Sequence, residues 1–399
     1  MGSAVLWFLL LLMILGVATG CGRQQVRVAP EEGTRKGAVK EESTQQIPKE
    51  SAGEETVKEE STQEATNRRS LSQAIGQMFI VGMSGTKPDH HIKKMIQKHH
   101  IGGVILSVPN IKNLKQTQTL VSKLQKLSIE TSPSIPLVIA VDEEGGSVTR
   151  APWIPPRPAA AVVGRSGNPD WAYHIAYEVG QKLKEAGINT DLAPVVDTGF
   201  GAAIGDRSFG TDPKLVSRMG SAAIKGFEAA GIASTAKHFP NHGAANEDSH
   251  VGSPIIEHDM STIETQDLPP FKAAIDAGVP MVMVGHLVYP AIDPTLPASL
   301  SPRAIRLLRQ NLGFKGVVVS DALTMEGATR GGTIAQAAVE AVGAGEDMLL
   351  LSAKPQAQLR AYAAVKQAVK SGQISRAQIN QSVERILQLK EQYQMAPGG

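Results

Sequence analysis

Short apolar runs recur eight times between residues 71 and 399, and longer segments of helical periodicity separate them. The runs are QMFIVGM (77–83), GGVILS (102–107), LVIAVD (137–142), DLAPVVD (191–197), ASTAKHF (233–239), PMVMVGH (280–286), GVVVSD (316–321) and DMLLLS (347–352). Continuous apolar residues indicate parallel strands that are covered on both faces. Intervening segments such as 171–187 and 215–231 carry apolar residues three and four apart and end at glycine, as helices often do.

Eight strand and helix units predict an α/β fold, a single (β/α)₈ TIM-type barrel, because that fold uses about 250 residues as one domain. A doubly wound open sheet is the alternative. The glycine fingerprint of a dinucleotide-binding turn is absent, and GMSGTK at 82–87 lacks the spacing of a phosphate loop. We therefore expect no cofactor.

An apolar stretch near the N-terminus, VLWFLLLLMILGV at 5–17, is short for a membrane span but suits an export signal. No Lys or Arg precedes it, which departs from the usual form. The sequence ATGC, ending at Cys21, resembles a bacterial lipoprotein processing site. We expect a signal peptide at 1–20 and a lipid on Cys21; the alternatives are an uncleaved anchor and secretion with a free thiol.

The segment from 21 to 70 has no aromatic residue and many charged side chains of both signs. It buries too little apolar surface to offset its conformational entropy, so the sequence predicts a disordered tether. VKEESTQ occurs at 39–45 and again at 57–63, which is typical of a duplicated spacer. The tether and the lipid predict an extracytoplasmic protein that is anchored to the bacterial cell membrane, or a secreted one, with 71–399 as its catalytic domain.

Composition excludes several classes of protein. The chain has 399 residues and one cysteine, which rules out a disulfide scaffold and any multi-cysteine zinc or iron–sulfur site. Forty basic and 38 acidic side chains give a net charge of +2. That balance gives no reason to expect a nucleic acid partner.

Five of the eight apolar runs finish on ionisable side chains. These are Asp142, Asp197, the pair Lys237 and His238, His286, and Asp321. In a barrel they ring one mouth, where the active sites of this fold lie. Helix capping explains any single Asp about as well, but it does not explain five convergent positions.

The segment KHFPNHGAANEDSH, at 237–250, is the richest in candidate chemistry. Its first two histidines are four apart, but the proline between them breaks any helix that would align them on a metal, so we expect no metal. Asp248 and His250 are two apart on an extended segment. A carboxylate beside an imidazole fixes its tautomer and raises its pKa, which suits acid and then base catalysis.

Two further carboxylates stand at strand ends. Asp321 follows a buried strand, where a carboxylate is held rigidly, as a nucleophile must be. Asp142 is followed by two glutamates and a Gly-Gly turn, with Arg150 eight residues on. Such a pair suits sugar hydroxyls, and an ion pair that holds the loop is an equal alternative.

Four ordered blocks closely resemble the signature sequences of glycoside hydrolase family 3. They are IAVDEEGGSVTR, DLAPVVD followed by IGDRSFGTDP, KHFPNHG with EDSH, and VVVSDALTMEG. The resemblance covers 71–399 and is greatest to the bacterial β-N-acetylhexosaminidases of the family. It implies a (β/α)₈ or related barrel that releases N-acetylglucosamine, and for an exported enzyme it implies peptidoglycan fragments as substrate. Asn241 replaces the family's usual glycine, which stiffens the loop or strains a left-handed backbone.

The resemblance also implies residue roles. It makes Asp321 the nucleophile and His250 the acid/base, with Asp248 as its partner. It implies that the N-acetylglucosamine unit is bound by Asp142, Arg150, Arg207, Lys237 and His238. The reaction would pass through a covalent glycosyl-aspartate and retain configuration. His286 and Asp197 line the same mouth without an assigned role.

Three alternative functions are compatible with parts of this sequence pattern. A histidine acid/base repels phosphate less than a carboxylate does, so a phosphorylase using the same site is reasonable. A β-glucosidase of the same family would usually take its acid/base from a second domain, and we expect none after the barrel. A sugar-binding surface lipoprotein would have no need of Asp321, Asp248 and His250 together.

Overall fold

The computed structural model describes residues 69–249 and 252–395, and its strands confirm all eight predicted runs. The strands are β1 Phe79–Gly82, β2 Gly103–Ile105, β3 Val138–Val141, β4 Thr190–Asp191, β5 Thr235–Phe239, β6 Met281–Val284, β7 Val317–Ser320 and β8 Leu349–Leu351. β4 is shorter than its predicted run because Pro194 has no N–H to donate to a neighbouring strand. The predicted signal peptide, Cys21 and the tether up to residue 68 lie outside the described residues.

Helices separate the strands. They are Leu71–Gln77, His90–His99, Leu114–Ile129, Ala160–Arg165, Pro169–Glu185, Pro213–Ala230, Met260–Thr262, Leu268–Asp276, Pro302–Arg306, Glu326–Thr329, Ile334–Ala344, Pro355–Lys370 and Arg376–Gln392. Short 3₁₀ turns lie at Val108–Asn110, Gly205–Arg207 and Ala298–Leu300, and π turns lie at Ile263–Asp267 and Leu307–Asn311. In the described part of the chain, no helix has the length and apolarity needed to cross a bilayer.

The two helices predicted from 171–187 and 215–231 are confirmed, and their ends follow from local chemistry. Each has proline in its first turn and a side-chain cap, from Asn168 and from Asp212. The second ends at Gly231, whose φ of +75° favours glycine. The two helices pack closely: a Cβ on Gly226 would lie 2.3 Å from the Tyr173 carbonyl oxygen.

All strand pairs are parallel, and they form two sheets. One has the order β4-β3-β2-β1-β8 and the other β5-β6-β7, so sequential strands are neighbours. Among the described strands the order never reverses, whereas a doubly wound sheet requires such a reversal. Isolated parallel bridges join the facing edges, Thr190 to Ala233, Val195 to Lys237 and Val319 to Met348. The α/β class is confirmed, and the carboxyl ends of all strands share one side.

Candidate active site

Lys237, in β5, is the centre of a buried charge cluster. Its Nζ lies 2.8 Å from Asp142 Oδ1 and 2.7 Å from Glu144 Oε1, both carried by the segment after β3. Burial alone would lower the pKa of Lys237, but the two carboxylates outweigh it and raise the pKa to about 12. The lysine therefore remains a cation across the physiological range.

Arg207 joins this cluster through Glu144. Its Nε donates to Glu144 Oε2 at 2.7 Å and its Nη2 donates to Oε1 at 2.8 Å, a bidentate pair. Burial would raise the pKa of Glu144, yet Lys237 and Arg207 together lower it to about 2. Sequence reasoning assigned no role to Glu144; its only signal was its place in the acidic triplet after β3.

Glu143 faces away from Glu144 and holds the following turn. Its Oε2 accepts hydrogen bonds from the backbone N–H groups of Arg150 at 2.6 Å and Ala151 at 2.8 Å. The Arg150 side chain donates from Nη1 to the Thr149 carbonyl oxygen at 3.1 Å. The loop is thus held by Glu143 on backbone groups, while Asp142 pairs with Lys237.

Asp197, fully buried after β4, organises the end of β5. Its Oδ1 accepts from the backbone N–H groups of His238 at 3.0 Å and His242 at 2.6 Å. Its Oδ2 accepts from His238 Nδ1 at 2.8 Å. Burial would raise the pKa of Asp197, but His238 outweighs it and lowers the pKa. This contact directs the other ring nitrogen of His238 away from Asp197.

Asp321 is held at the end of β7 by two backbone contacts. Its N–H donates to the Val284 carbonyl oxygen at 3.0 Å, and its Oδ1 accepts from the Ala322 N–H at 2.7 Å. Burial would raise the pKa of Asp321, but His238, the Ala322 N–H and Lys237 lower it to about 2. The carboxylate is therefore ionised at neutral pH, as a nucleophile requires.

His286, fully buried after β6, supports the residue next to Asp321. Its Nε2 lies 3.2 Å from the Ala322 carbonyl oxygen, which can only accept, so Nε2 carries the proton. Its Nδ1 then accepts from the Ser299 hydroxyl at 2.7 Å. Burial lowers the pKa of His286, which favours this neutral form.

His250 lies outside the described residues, but its neighbours on both sides contact the segment after β7. Gly327 N–H donates to the Ser249 carbonyl oxygen at 3.2 Å, and Ser253 Oγ donates to the Gly327 carbonyl oxygen at 2.9 Å. A Cβ on Gly327 would lie 2.6 Å from the Gly252 carbonyl oxygen. The close approach therefore needs glycine at 327, six residues after Asp321. Asp248 lies on this same segment.

Asn241 joins neighbouring loops. Its Oδ1 accepts from the backbone N–H groups of Thr198 and Gly243, each at 2.9 Å. Its Nδ2 donates to the Thr198 carbonyl oxygen at 3.1 Å and to Asp267 Oδ1 at 2.7 Å. Its φ is not positive, so the departure from the family pattern imposes no left-handed strain. The side chain adds four contacts that glycine cannot make, which stiffens the loop.

The arrangement combines an ionised carboxylate, oriented imidazoles and a cluster of paired charges beside one another. Across 69–249 and 252–395, no group of three His, Cys, Asp or Glu side chains could hold a metal ion. A nucleophile flanked by hydrogen-bonding groups suits group transfer at one carbon of a ligand whose other carbons carry hydroxyls.

Glu144 gives a pH prediction. Its pKa falls from an ordinary 4.5 to about 2 on folding, so its stabilisation is complete above pH 4.5 and is lost as pH falls toward 2. We expect Glu144→Gln to remove about 3 kcal/mol of pH-dependent unfolding free energy over that interval. Chemical unfolding at a series of pH values measures it. The exposed Glu130→Gln variant is the control, and equal slopes in all three proteins would contradict the prediction.

Comparison with known proteins gives a consistent result. Residues 70–389 match the model of the glycosyl hydrolase family 3 N terminal domain. Beta-hexosaminidase A of Pseudoalteromonas piscicida is 34% identical over 329 residues, which are 75% of this chain and 54% of that protein. Beta-hexosaminidase of Nitrosomonas eutropha is 36% identical over 292 residues, 69% of this chain and 80% of that protein.

A solved structure shows the same similarity. The family 3 β-N-acetylglucosaminidase from Paenibacillus sp. str. FPU-7 superposes with a TM-score of 0.80 at 38% sequence identity. The match covers 83% of this chain and 64% of that one. The chain therefore spans about half the length of the first relative and under two thirds of this structure.

Proposed function

Because the chain belongs to glycosyl hydrolase family 3, we propose that it is a retaining β-N-acetylhexosaminidase that hydrolyses terminal β-linked N-acetylglucosamine. The observation that carries the proposal is Asp321, which lies at the end of β7 with its Oδ1 held by the Ala322 N–H and its pKa lowered to about 2. The names of the relatives and of the similar structure support the substrate class.

In the proposed reaction Asp321 attacks the anomeric carbon and the bond to the leaving oxygen breaks, giving a covalent glycosyl-aspartate. His250 donates a proton to the leaving oxygen, with Asp248 as its partner. In the second half, His250 takes a proton from water, which attacks the same carbon and frees Asp321. Two displacements on opposite faces retain the configuration.

The charge cluster supplies the proposed sugar-binding groups. Asp142, partly exposed beside Lys237, offers a carboxylate to a hydroxyl, and His238 offers the ring nitrogen that Asp197 does not occupy. Arg150, with its guanidinium bonded to a backbone carbonyl, has further N–H groups for the ligand. Arg207 donates two of its N–H groups to Glu144, so its main contribution to sugar binding is to hold that carboxylate in place.

We also propose that the two sheets form one closed (β/α)₈ barrel. The bridges from Thr190 to Ala233 and from Val319 to Met348 support it, since they lie between the edge strands of the two sheets. Closure would place Asp142, Lys237 and Asp321 around a single mouth.

The location of the enzyme is likewise a proposal. A signal peptide at 1–20 would direct export, and after its removal a lipid on Cys21 and a charged tether would hold the catalytic domain at the membrane, outside the cytoplasm. Peptidoglycan fragments are the β-N-acetylglucosaminides that such an enzyme would meet. Metabolic labelling with a radioactive fatty acid, compared between the wild-type chain and Cys21→Ser, tests the anchor.

The activity is tested with aryl glycosides and muropeptides, each with and without inorganic phosphate. We expect release of N-acetylglucosamine from the 4-nitrophenyl β-N-acetylglucosaminide, with the β-anomer appearing first by NMR. Faster cleavage of the matching β-glucoside would indicate a β-glucosidase. Sugar phosphate as main product would indicate a phosphorylase. No cleavage at any pH, with ligand binding intact, would reduce the protein to a glycan-binding one.

A further inference from the structure

A single buried carboxylate holds both ends of the segment that carries the proposed acid/base. Asp267, only 1% exposed, ends the Ile263–Asp267 turn. Its Oδ1 accepts from Asn241 Nδ2 at 2.7 Å, where the segment begins. Its Oδ2 accepts from His258 Nδ1 at 2.8 Å, where the segment ends. The residues that flank the segment 242–257, Asn241 and His258, are thus both bonded to the same side chain.

The segment after β6 adds a second anchor beside the first. Buried Tyr289 donates its hydroxyl to the Asn241 carbonyl oxygen at 2.6 Å. Val288 pairs with residues 254–256: its carbonyl oxygen accepts from the Ile256 N–H, and its N–H donates to the Pro254 carbonyl oxygen, both at 2.9 Å. The base of the segment is therefore fixed between two elements that do not carry Asp321.

Hydrogen bonds to an ionised, buried acceptor are about twice as strong as neutral ones. Removing Asp267 would leave the Asn241 amide short of a partner in the interior and release His258, whose side chain is 31% exposed. The contacts of Asp321 with Val284 and Ala322, and those of Lys237 with Asp142 and Glu144, involve other residues. Loss of Asp267 would thus act on the segment more than on the nucleophile or the charge cluster.

We propose that Asp267 is a positioning residue that sets the segment bearing Asp248 and His250, through Asn241 and His258. The inference rests on the proposed function, because it assigns the acid/base to that segment. The inference goes beyond the proposed function because it attributes the position of the acid/base to Asp267, a residue outside the four sequence blocks that mark the family. Asp267 itself touches no substrate.

The expected effect depends on the leaving group. Cleavage of a phenyl glycoside needs a proton on the leaving oxygen, whereas a 2,4-dinitrophenyl glycoside leaves without one. We expect Asp267→Ala to lower kcat/KM for the phenyl β-N-acetylglucosaminide by about 10- to 100-fold. For the dinitrophenyl compound the change should stay within about threefold, because kcat/KM reports the glycosylation step there.

Three further variants separate a positioning role of Asp267 from a general loss of structure. Asp267→Asn retains the shape and an acceptor for Asn241, so it should recover most of the activity on the phenyl substrate. His258→Ala releases only one end, at a partly exposed site, and should show the same selectivity to a smaller degree; it carries the test if Asp267→Ala does not fold. Glu264→Ala, an exposed carboxylate in the same turn, should match wild type.

Hydrogen exchange provides a readout that is independent of activity. Amides in peptides from 242–257 should exchange faster in Asp267→Ala and His258→Ala, while peptides from β5 and β7 remain as in wild type. Unchanged exchange at 242–257, or an equal loss on both substrates, overturns the inference. A wild-type protein that cleaves neither substrate instead defeats the proposed function, and exchange then still decides whether Asp267 holds the segment.

Discussion

Asp321→Ala is expected to lower kcat on an aryl β-N-acetylglucosaminide by about 10⁴-fold or more, with the fold retained. The carboxylate is the proposed nucleophile, and the residues on either side of it in the chain, Ser320 and Ala322, carry no acid to replace it. Its pKa of about 2 keeps it ionised throughout the range in which histidines titrate. Steady-state kinetics across pH, with circular dichroism as a check of folding, provide the measurement.

Azide separates a lost nucleophile from a damaged site. In Asp321→Ala the small anion can enter from the face that the carboxylate occupied, and we expect an α-glycosyl azide from an activated β-substrate. Asp276→Ala removes an exposed carboxylate that pairs only with Lys272 on the surface, and it should behave as wild type. Near-normal turnover by Asp321→Ala would remove this residue from the role.

The strands were predictable because burial on both faces leaves a continuous apolar run, and each run ends where the chain reaches solvent or ligand. That pattern located Asp142 and Asp321 directly after β3 and β7, whereas Lys237, also expected at a strand end, lies inside β5. It could not choose among three consecutive acids, because neighbouring side chains point to opposite sides. The structure shows that Glu144 shares Lys237 with Asp142, while Glu143 turns to backbone N–H groups.

The supports of the site were not predictable, because their partners are distant in sequence. From sequence, helix capping explained Asp197 about as well as a place at the mouth, and in the structure its buried carboxylate accepts three hydrogen bonds from His238 and His242. Asp267 lies in no motif, and its contacts with Asn241 and His258 depend on how the chain returns after β5. Pro194 shows a different error of the sequence prediction. The apolar pattern of DLAPVVD predicted a strand over 191–197, but Pro194 cannot donate a backbone hydrogen bond and β4 is shorter.

Lys237 is expected to stabilise the fold through the buried charge cluster, and a substitution can measure that contribution. It is 2% exposed, and it pairs with Glu144, which is 6% exposed, and with Asp142, which is 28% exposed. A surface pair of the same chemistry, Lys182 with Glu185 at 3.0 Å, has both side chains more than 40% exposed. The two lysines therefore form a matched comparison of the same contact in two surroundings.

We expect Lys237→Met to lower the free energy of unfolding by about 3 to 5 kcal/mol, because it leaves Asp142 without its cation and buried Glu144 with Arg207 alone. Lys182→Met should cost less than about 1 kcal/mol. Urea unfolding of both variants measures the difference. Adding Asp142→Asn to Lys237→Met removes the carboxylate that has lost its cation and should restore part of the loss, whereas Glu144 keeps its pair with Arg207. If the two lysine variants were equally stable, Lys237 would not hold the charge cluster together, and its raised pKa would have no energetic consequence for the fold.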